Sequence, residues 1–145
     1  MKSSKATAIV TAICGAMVLS ACGGTPADAV NGFYGELNKG NVSAAKEYLG
    51  KRAFGIPKDS PSMGAVLMDT VREYTGNGGL IMPTTSAEKC EVKGEVASCR
   101  YQLRFEKFKD NSAPTVDKIH VLQKADGKWL IVEDQNLPQG AVKGN

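Results

Sequence analysis

The hydrophobic positions of the first half of the chain recur with helical spacing. Between residues 26 and 39 the apolar side chains fall at i, i+3, i+4 and i+7, at Val30, Phe33, Tyr34 and Leu37. Thr25 and Asp28 have the spacing of a capping box, and Pro26 suits the first helical position. Gly40 can end the helix. We therefore predict an amphipathic helix that begins at Pro26 and ends before Gly40.

Two more helices are predicted before residue 80. Asn41 can cap a short helix over 42–49, and Ser60 with Pro61 opens a longer helix that ends near Gly76. One face of the longer helix carries Met63, Val66, Leu67, Thr70, Val71 and Tyr74. Such a stripe can line a ligand cavity, but the spacing is more typical of core, which is our expectation.

After Gly79 the period of the hydrophobic positions changes to two, which indicates strands. We predict a short strand over 80–85, a hairpin over 90–108, a strand over 115–124 and a last strand over 128–134. Asp126-Gly127 is typical of a type I′ turn. Apolar residues lie on both faces of the last hairpin, with Leu122, Trp129 and Ile131 on one and Val121, Leu130 and Val132 on the other. This hairpin is therefore expected at the centre of the sheet.

The segment CEVKGEVASC, residues 90–99, predicts a disulfide. A two-residue turn at Gly94-Glu95, with glycine first, is the type II′ pattern. It places Cys90 opposite Cys99 in a pair without backbone hydrogen bonds, where Cα atoms lie about 4.5 Å apart. Neither a zinc site nor a C-x-x-C redox motif fits this spacing. A structural disulfide is the expected product in an oxidising compartment.

The first 24 residues have the pattern of a secretory signal. Lys2 and Lys5 precede an uncharged apolar run over 6–19, which is short for a membrane span. The run ends in Leu-Ser-Ala-Cys, which resembles the lipobox of bacterial lipoproteins. That resemblance implies a diacylglyceryl group on Cys22, cleavage before it and N-acylation of the new terminus, with palmitate as a typical acyl chain. Gly23 directly follows Cys22, and in this respect the sequence resembles lipoproteins that are sorted to the outer membrane.

Charge excludes one class of partner. The formal net charge is +3 over 145 residues, and Lys2 and Lys5 supply two of these charges, so the remaining chain is close to neutral. Nucleic acid binding needs a strong basic field, and a polybasic membrane contact needs a basic cluster. We therefore expect no nucleic acid partner, and the predicted contact with the membrane is through acylated Cys22. The composition, 42% hydrophobic and 23% charged, is that of a globular domain.

Two segments resemble nuclear transport factor 2-like domains. DAVNGFYGELNKGNVSAAKEYL, residues 28–49, resembles their first two helices, and ADGKWLIVED, residues 125–134, resembles their last strand. The resemblance is closest to small bacterial lipoproteins that carry this domain. It implies an α+β fold in which three N-terminal helices pack on a curved antiparallel sheet of four to five strands, with a cone-shaped cavity. The predicted organisation is a signal peptide over 1–21, an acylated tether over 22–25, one domain over 26–135 and a flexible tail over 136–145.

Catalytic chemistry has weak support in the sequence. Some members of the resembled superfamily are isomerases or dehydratases with Asp and His in the cavity. The chain has one histidine, His120, which a regular hairpin would place directly opposite Glu133 and on the same face as Trp129. This pair could act as a base with its orienting group, but we expect a salt bridge at the sheet surface. No cofactor or metal site is predicted.

The expected function is therefore that of a binding module rather than an enzyme. The predicted protein is a lipid-anchored lipoprotein of the cell envelope that binds a partner protein or a small ligand. In a bacterium with two membranes it would lie at the outer membrane, facing the periplasm or the surface. Two alternatives remain open: a protein-blocking immunity or exclusion lipoprotein, and a cavity enzyme that uses His120 and Glu133.

Overall fold

The N-terminal helix begins and ends where its local signals place it. The computed structural model describes residues 24–110 and 117–136, and α1 spans Pro26–Asn38. The Thr25 hydroxyl accepts from the Asp28 amide while the Asp28 carboxylate accepts from the Thr25 amide, so the capping box is complete. Lys39 follows as the C-cap residue. The predicted stripe of α1 is buried.

The second helix is shorter than expected. α2 spans Val42–Lys46, with its first turn capped by the side chain of Asn41. The chain then forms a small ribbon of β1, Arg52–Ala53, and β2, Ile56–Pro57. Phe54 lies in the turn between these strands with a φ of 54°, beside Gly55 at 76°. This turn brings the Phe54 side chain within reach of the sheet.

Helix α3 spans Pro61–Gly76 and is less buried than the sequence pattern suggested. Ser60 caps it, and Met63, Leu67 and Tyr74 are its buried residues. Val66, predicted on the inward face, is 43% exposed. The expectation of core is confirmed for Met63, Leu67 and Tyr74. It was wrong for Val66, because a cavity lies between part of α3 and the sheet.

Four antiparallel strands form the main sheet, in the order β3-β4-β5-β6. Their bounds are Cys90–Lys93, Val96–Gln102, Asp117–Ala125 and Lys128–Asn136. The chain therefore has the predicted α+β architecture of three helices and a curved antiparallel sheet. Only the part of the tail before residue 137 belongs to the described structure.

The β3-β4 hairpin has the predicted register. Cys90 pairs with Cys99 and Lys93 with Val96, and Gly94 has the positive φ, 62°, that its turn position requires. The two cysteines form a disulfide with a Cα–Cα distance of 4.0 Å. The predicted disulfide is confirmed. It joins the half-buried Cys90 on the edge strand to the fully buried Cys99 on β4.

The segment over 80–85 is not a strand. Leu80 makes one isolated bridge to Phe105, and the neighbouring backbone groups bond to asparagine side chains of α1. The Asn31 Oδ1 accepts from the backbone amides of Thr84 and Thr85 and from the Thr84 hydroxyl. Two backbone bonds still join the segment to residues 102–104, from Ile81 N to Arg104 O and from Gln102 N to Thr84 O. The pairing is not continuous because the Asn31 side chain takes the amides of Thr84 and Thr85.

The position of the last hairpin also differs from the prediction. β6 pairs with β5 on one side only, so β6 ends the sheet order and is not central. The segment over 48–54 covers its other side through three backbone hydrogen bonds: Gly50 N to Ile131 O, Ile131 N to Tyr48 O and Phe54 N to Val132 O. These bonds satisfy backbone groups on the outer edge of β6, so that β6 is not an open edge there.

Candidate functional site

A cavity of about 850 Å³ lies between α1, α3 and the sheet. This volume is within the usual range for sites that hold small molecules. Its apolar lining is supplied by Phe33, Leu37, Phe54, Val66, Leu67, Leu103, Phe105 and Phe108. Its polar and charged lining is supplied by Tyr34, Thr70, Glu73, Tyr74, Asn77, Arg104, Lys118, His120, Glu133 and Asp134. The polar residues are distributed unevenly, with a buried group at one end.

The buried polar group is centred on His120, whose side chain is 1% exposed. The Nδ1 atom lies 3.1 Å from the backbone oxygen of Glu133, and the Nε2 atom lies 2.8 Å from the hydroxyl of Tyr34. Because a carbonyl oxygen can only accept, Nδ1 carries the ring proton and Nε2 is the acceptor. The Tyr34 hydroxyl therefore donates to His120, and both ring nitrogens are engaged.

A second buried tyrosine connects this group to a carboxylate. The Tyr101 ring stacks on His120 with centroids 4.3 Å apart and an angle of 5° between the planes. Its hydroxyl donates to Asp134 Oδ1 at 2.6 Å, and Asp134 Oδ2 lies 3.6 Å from Lys118 Nζ. The side chains of Asp134 and Lys118 are about 30% exposed, at 29% and 31%. The carboxylate therefore lies where the buried group meets the open part of the cavity.

Burial sets the protonation of these groups. It lowers the pKa of His120 from 6.5 to about 4, against the opposing effect of Asp134 and the Glu133 carbonyl. Burial also raises the pKa of Tyr34 and of Tyr101, and the hydrogen bond to Asp134 raises that of Tyr101 further. At neutral pH the imidazole is therefore uncharged and both hydroxyls keep their protons.

The predicted one-to-one pairing of His120 with Glu133 is wrong. A β-bulge between Val121 and Leu122 shifts the register, so that His120 pairs with Asp134 and Val121 pairs with Glu133. The predicted surface salt bridge is also absent at this position, because His120 is buried and contacts Glu133 through its backbone oxygen. The bulge thus brings a different carboxylate to the histidine.

The remaining predicted site residues lie in different places. Glu133 lines the cavity, whereas Trp129 is a buried residue of the core with Lys124 Nζ 5.7 Å from the centre of its ring. Cys90 and Cys99 form their disulfide in the β3-β4 hairpin. The predicted acylation site, Cys22, lies outside the described residues.

Sequence reasoning missed the roles of Tyr34 and Tyr101. Tyr34 was expected only as part of an apolar stripe and Tyr101 was not singled out, and both are buried, at 5% and 1% exposure. Their hydroxyls nevertheless need partners inside the protein. One signal in the sequence could have found these roles: His120 lies on the same face of the sheet as Tyr101. A buried histidine requires polar partners, and a tyrosine hydroxyl on the same face can be one.

Neither a metal centre nor a membrane-spanning helix is found in the part of the chain that the structure describes. No three His, Cys, Asp or Glu side chains over 24–110 and 117–136 are grouped so that they could hold a metal ion. No helix within those same ranges combines the length and the apolar character needed to cross a bilayer.

Comparison with known proteins supports the fold and leaves the activity open. No protein-family model matches the sequence, and no curated protein matches it. A solved structure named Rd1NTF2_05, in a variant with five substitutions, is similar with a TM-score of 0.55 at 12% identity, over 73% of this chain and 90% of its own. At such identity the similarity concerns the fold alone. The chain has an α+β fold of the NTF2-like type.

Two NTF2-like proteins of unknown function are similar at lower scores. The protein from Shewanella oneidensis MR-1 has a TM-score of 0.49 at 15% identity and covers 74% of this chain and 91% of its own. The protein from Cytophaga hutchinsonii ATCC 33406 has a TM-score of 0.44 at 16% identity and covers 79% and 92%.

Proposed function

We propose that this chain is a lipid-anchored lipoprotein of the bacterial cell envelope and that its NTF2-like domain binds a small organic ligand. The observation that carries the binding function is the cavity of about 850 Å³, with aromatic walls and a buried polar group at one end. Apolar walls with a few placed polar groups are typical of ligand sites. The anchor is supported by the lipobox-like sequence that ends at Cys22.

The polar group favours binding over general base catalysis. A general base needs a free acceptor and a pKa near the working pH. His120 Nε2 already accepts from Tyr34, and burial lowers the His120 pKa to about 4. The same hydrogen bond holds the ring of Tyr34 in a fixed position in the cavity lining. We therefore propose a non-enzymatic role.

The binding function is tested by filling the cavity from helix α3. Thr70 lines the cavity and is half-buried, whereas Met68 on the same helix is 41% exposed and lies outside the lining. We expect Thr70→Trp to reduce binding of the neutral probe naphthylmethanol at least tenfold, because the indole occupies the probe's volume. Met68→Trp is the matched control and should bind as the wild type does.

Calorimetric titration of the full chain in lipid nanodiscs, with empty nanodiscs subtracted, measures both affinities. Equal binding by the two variants would show that the probe sits elsewhere. Absence of binding to the wild type by naphthylmethanol and by its amine and carboxylate analogues alike would contradict the proposed function itself.

The anchor is tested at the cysteine. We expect Cys22→Ser to abolish incorporation of a palmitate analogue, and the uncleaved precursor should accumulate because cleavage follows acylation in bacterial lipoproteins. Metabolic labelling followed by gel analysis measures both effects, with Ser20→Ala as a control that keeps a small side chain before the cysteine. Labelling that persists in Cys22→Ser would contradict the lipoprotein assignment.

A further inference from the structure

We propose that the cavity selects a protonated amine attached to an apolar, aromatic-sized body. This inference rests on the proposed function and names the chemical class of its ligand. Three features of the cavity carry it: acceptor atoms at the buried end, aromatic walls, and cations that already have partners.

The buried end offers acceptors and no free hydroxyl proton from its two tyrosines. Tyr34 has committed its proton to His120 Nε2, and Tyr101 has committed its proton to Asp134 Oδ1. The Tyr34 oxygen keeps acceptor capacity, as does the Asp134 carboxylate, which receives one hydroxyl and approaches Lys118 at 3.6 Å. A ligand group that enters here must therefore donate hydrogen bonds, and a carboxylate would meet acceptors.

The walls favour a cation next to an apolar body. Phe33, Phe54, Tyr74 and Phe105 line the cavity, and the Tyr74 and Phe105 rings pack against each other with centroids 5.3 Å apart. Aromatic faces attract ammonium groups, with a larger gain where water is excluded. An aliphatic or aromatic amine can use these walls for its body and for its charge.

The charged groups that line the cavity also favour a positively charged ligand group. Lys118 is paired with Asp134, and Arg104 donates from Nη2 to the backbone oxygen of Lys109 at 3.4 Å. His120 adds no positive charge at neutral pH, since burial lowers its pKa to about 4. Glu73 adds a carboxylate to the lining from α3. An incoming ammonium would share Asp134 with Lys118, which defines a test.

Three probes of one shape separate the ligand classes. Naphthylmethylamine, naphthylmethanol and naphthoate present a positive, neutral and negative group on the same aromatic body. With the full chain in nanodiscs and empty nanodiscs subtracted, we expect the amine to bind at least tenfold more tightly than the other two. Tighter binding of the alcohol or of naphthoate would overturn this inference and leave the proposed function intact. Failure of all three probes would contradict both.

Two substitutions are expected to act in opposite directions. Asp134→Asn keeps an oxygen for the Tyr101 hydroxyl but removes the charge, and it should reduce the amine-to-alcohol affinity ratio about tenfold. Lys118→Met removes the competing cation and should strengthen amine binding severalfold. If the cavity prefers a positive ligand group, amine binding should weaken in Asp134→Asn and strengthen in Lys118→Met. If it prefers a negative group, ligand binding should weaken in Lys118→Met. An unchanged ratio in Asp134→Asn, or weaker amine binding in Lys118→Met, would overturn the inference.

Discussion

At the scale of single residues, His120 determines the properties of the buried end of the cavity. Its side chain is 1% exposed, stacks on Tyr101, and is held by hydrogen bonds at both nitrogens. Because a buried charge is costly, the folded protein keeps the ring neutral. The neutral ring then accepts the Tyr34 proton, so the hydroxyl oxygen of this lining residue keeps only acceptor capacity. In the proposed binding site, this protonation state favours ligand groups that donate hydrogen bonds.

The protonation of His120 predicts how stability depends on pH. The folded-state pKa of about 4 lies below the unfolded value of 6.5, so the unfolded chain binds a proton between these values that the folded chain does not. The free energy of unfolding should therefore fall as pH is lowered from 6.5, by at most about 1.4 kcal/mol per pH unit. Urea unfolding at pH 7, 6 and 5 measures the slope.

A clean control exists because His120 is the only histidine of the chain. His120→Gln should be less stable than the wild type at pH 7, since it loses the ring stacking on Tyr101. It should also lack the slope between pH 6.5 and 5, where carboxylates contribute little. A slope that persists in His120→Gln would show that another group is responsible.

At the scale of secondary structure elements, the bounds that depend on local signals could be predicted, and those that depend on distant side chains could not. The bounds of α1 follow from a capping box and a terminal glycine, which are local, so they could be predicted. The hairpin over 90–99 was predictable for the same reason, because its turn fixes its register. The segment over 80–85 was not, since the hydrogen bonds of Thr84 and Thr85 with Asn31 join residues more than fifty positions apart.

The role of Asn31 predicts a large effect on stability. Its Oδ1 accepts three hydrogen bonds from Thr84 and Thr85, and its Nδ2 donates to the Thr85 oxygen at 3.0 Å. Asn31→Ala should cost about 2–4 kcal/mol, because buried donors lose their partner. Asn38→Ala is the matched variant on the same helix and should cost less, since Asn38 makes one short bond, to the Leu80 amide at 2.7 Å. Urea unfolding measures both, and equal losses would contradict this account.

Loss of the disulfide of the β3-β4 hairpin is expected to lower the stability less than Asn31→Ala does. The protein isolated under oxidising conditions should yield one peptide pair linked through Cys90 and Cys99. The double variant Cys90→Ala, Cys99→Ala should have a free energy of unfolding about 1–3 kcal/mol lower than the wild type. The loss is modest because the hairpin turn already closes the loop. Free thiols at both positions in the unreduced, denatured protein would contradict the pairing.

At the scale of the whole molecule, the cavity is the feature that the sequence did not define. The α+β fold followed from the change of period after Gly79 and from the order of helices before strands. The cavity could not be predicted from the sequence, because its volume depends on the distance between α3 and the sheet. Val66 and Thr70 have the spacing of core residues, yet they line the cavity instead of packing. The bulge in β5 and β6 likewise places Asp134 rather than Glu133 beside His120.

The central claim is that this cavity is a binding site, and a crystal structure of the protein with naphthylmethylamine tests it most directly. We predict one probe molecule between the Phe33 and Phe105 side chains, with its nitrogen within hydrogen-bond distance of Asp134 and the Tyr34 hydroxyl. The His120 and Tyr34 side chains should keep their separation of 2.8 Å. A probe bound only outside the cavity, or a cavity closed by its own side chains, would contradict the account.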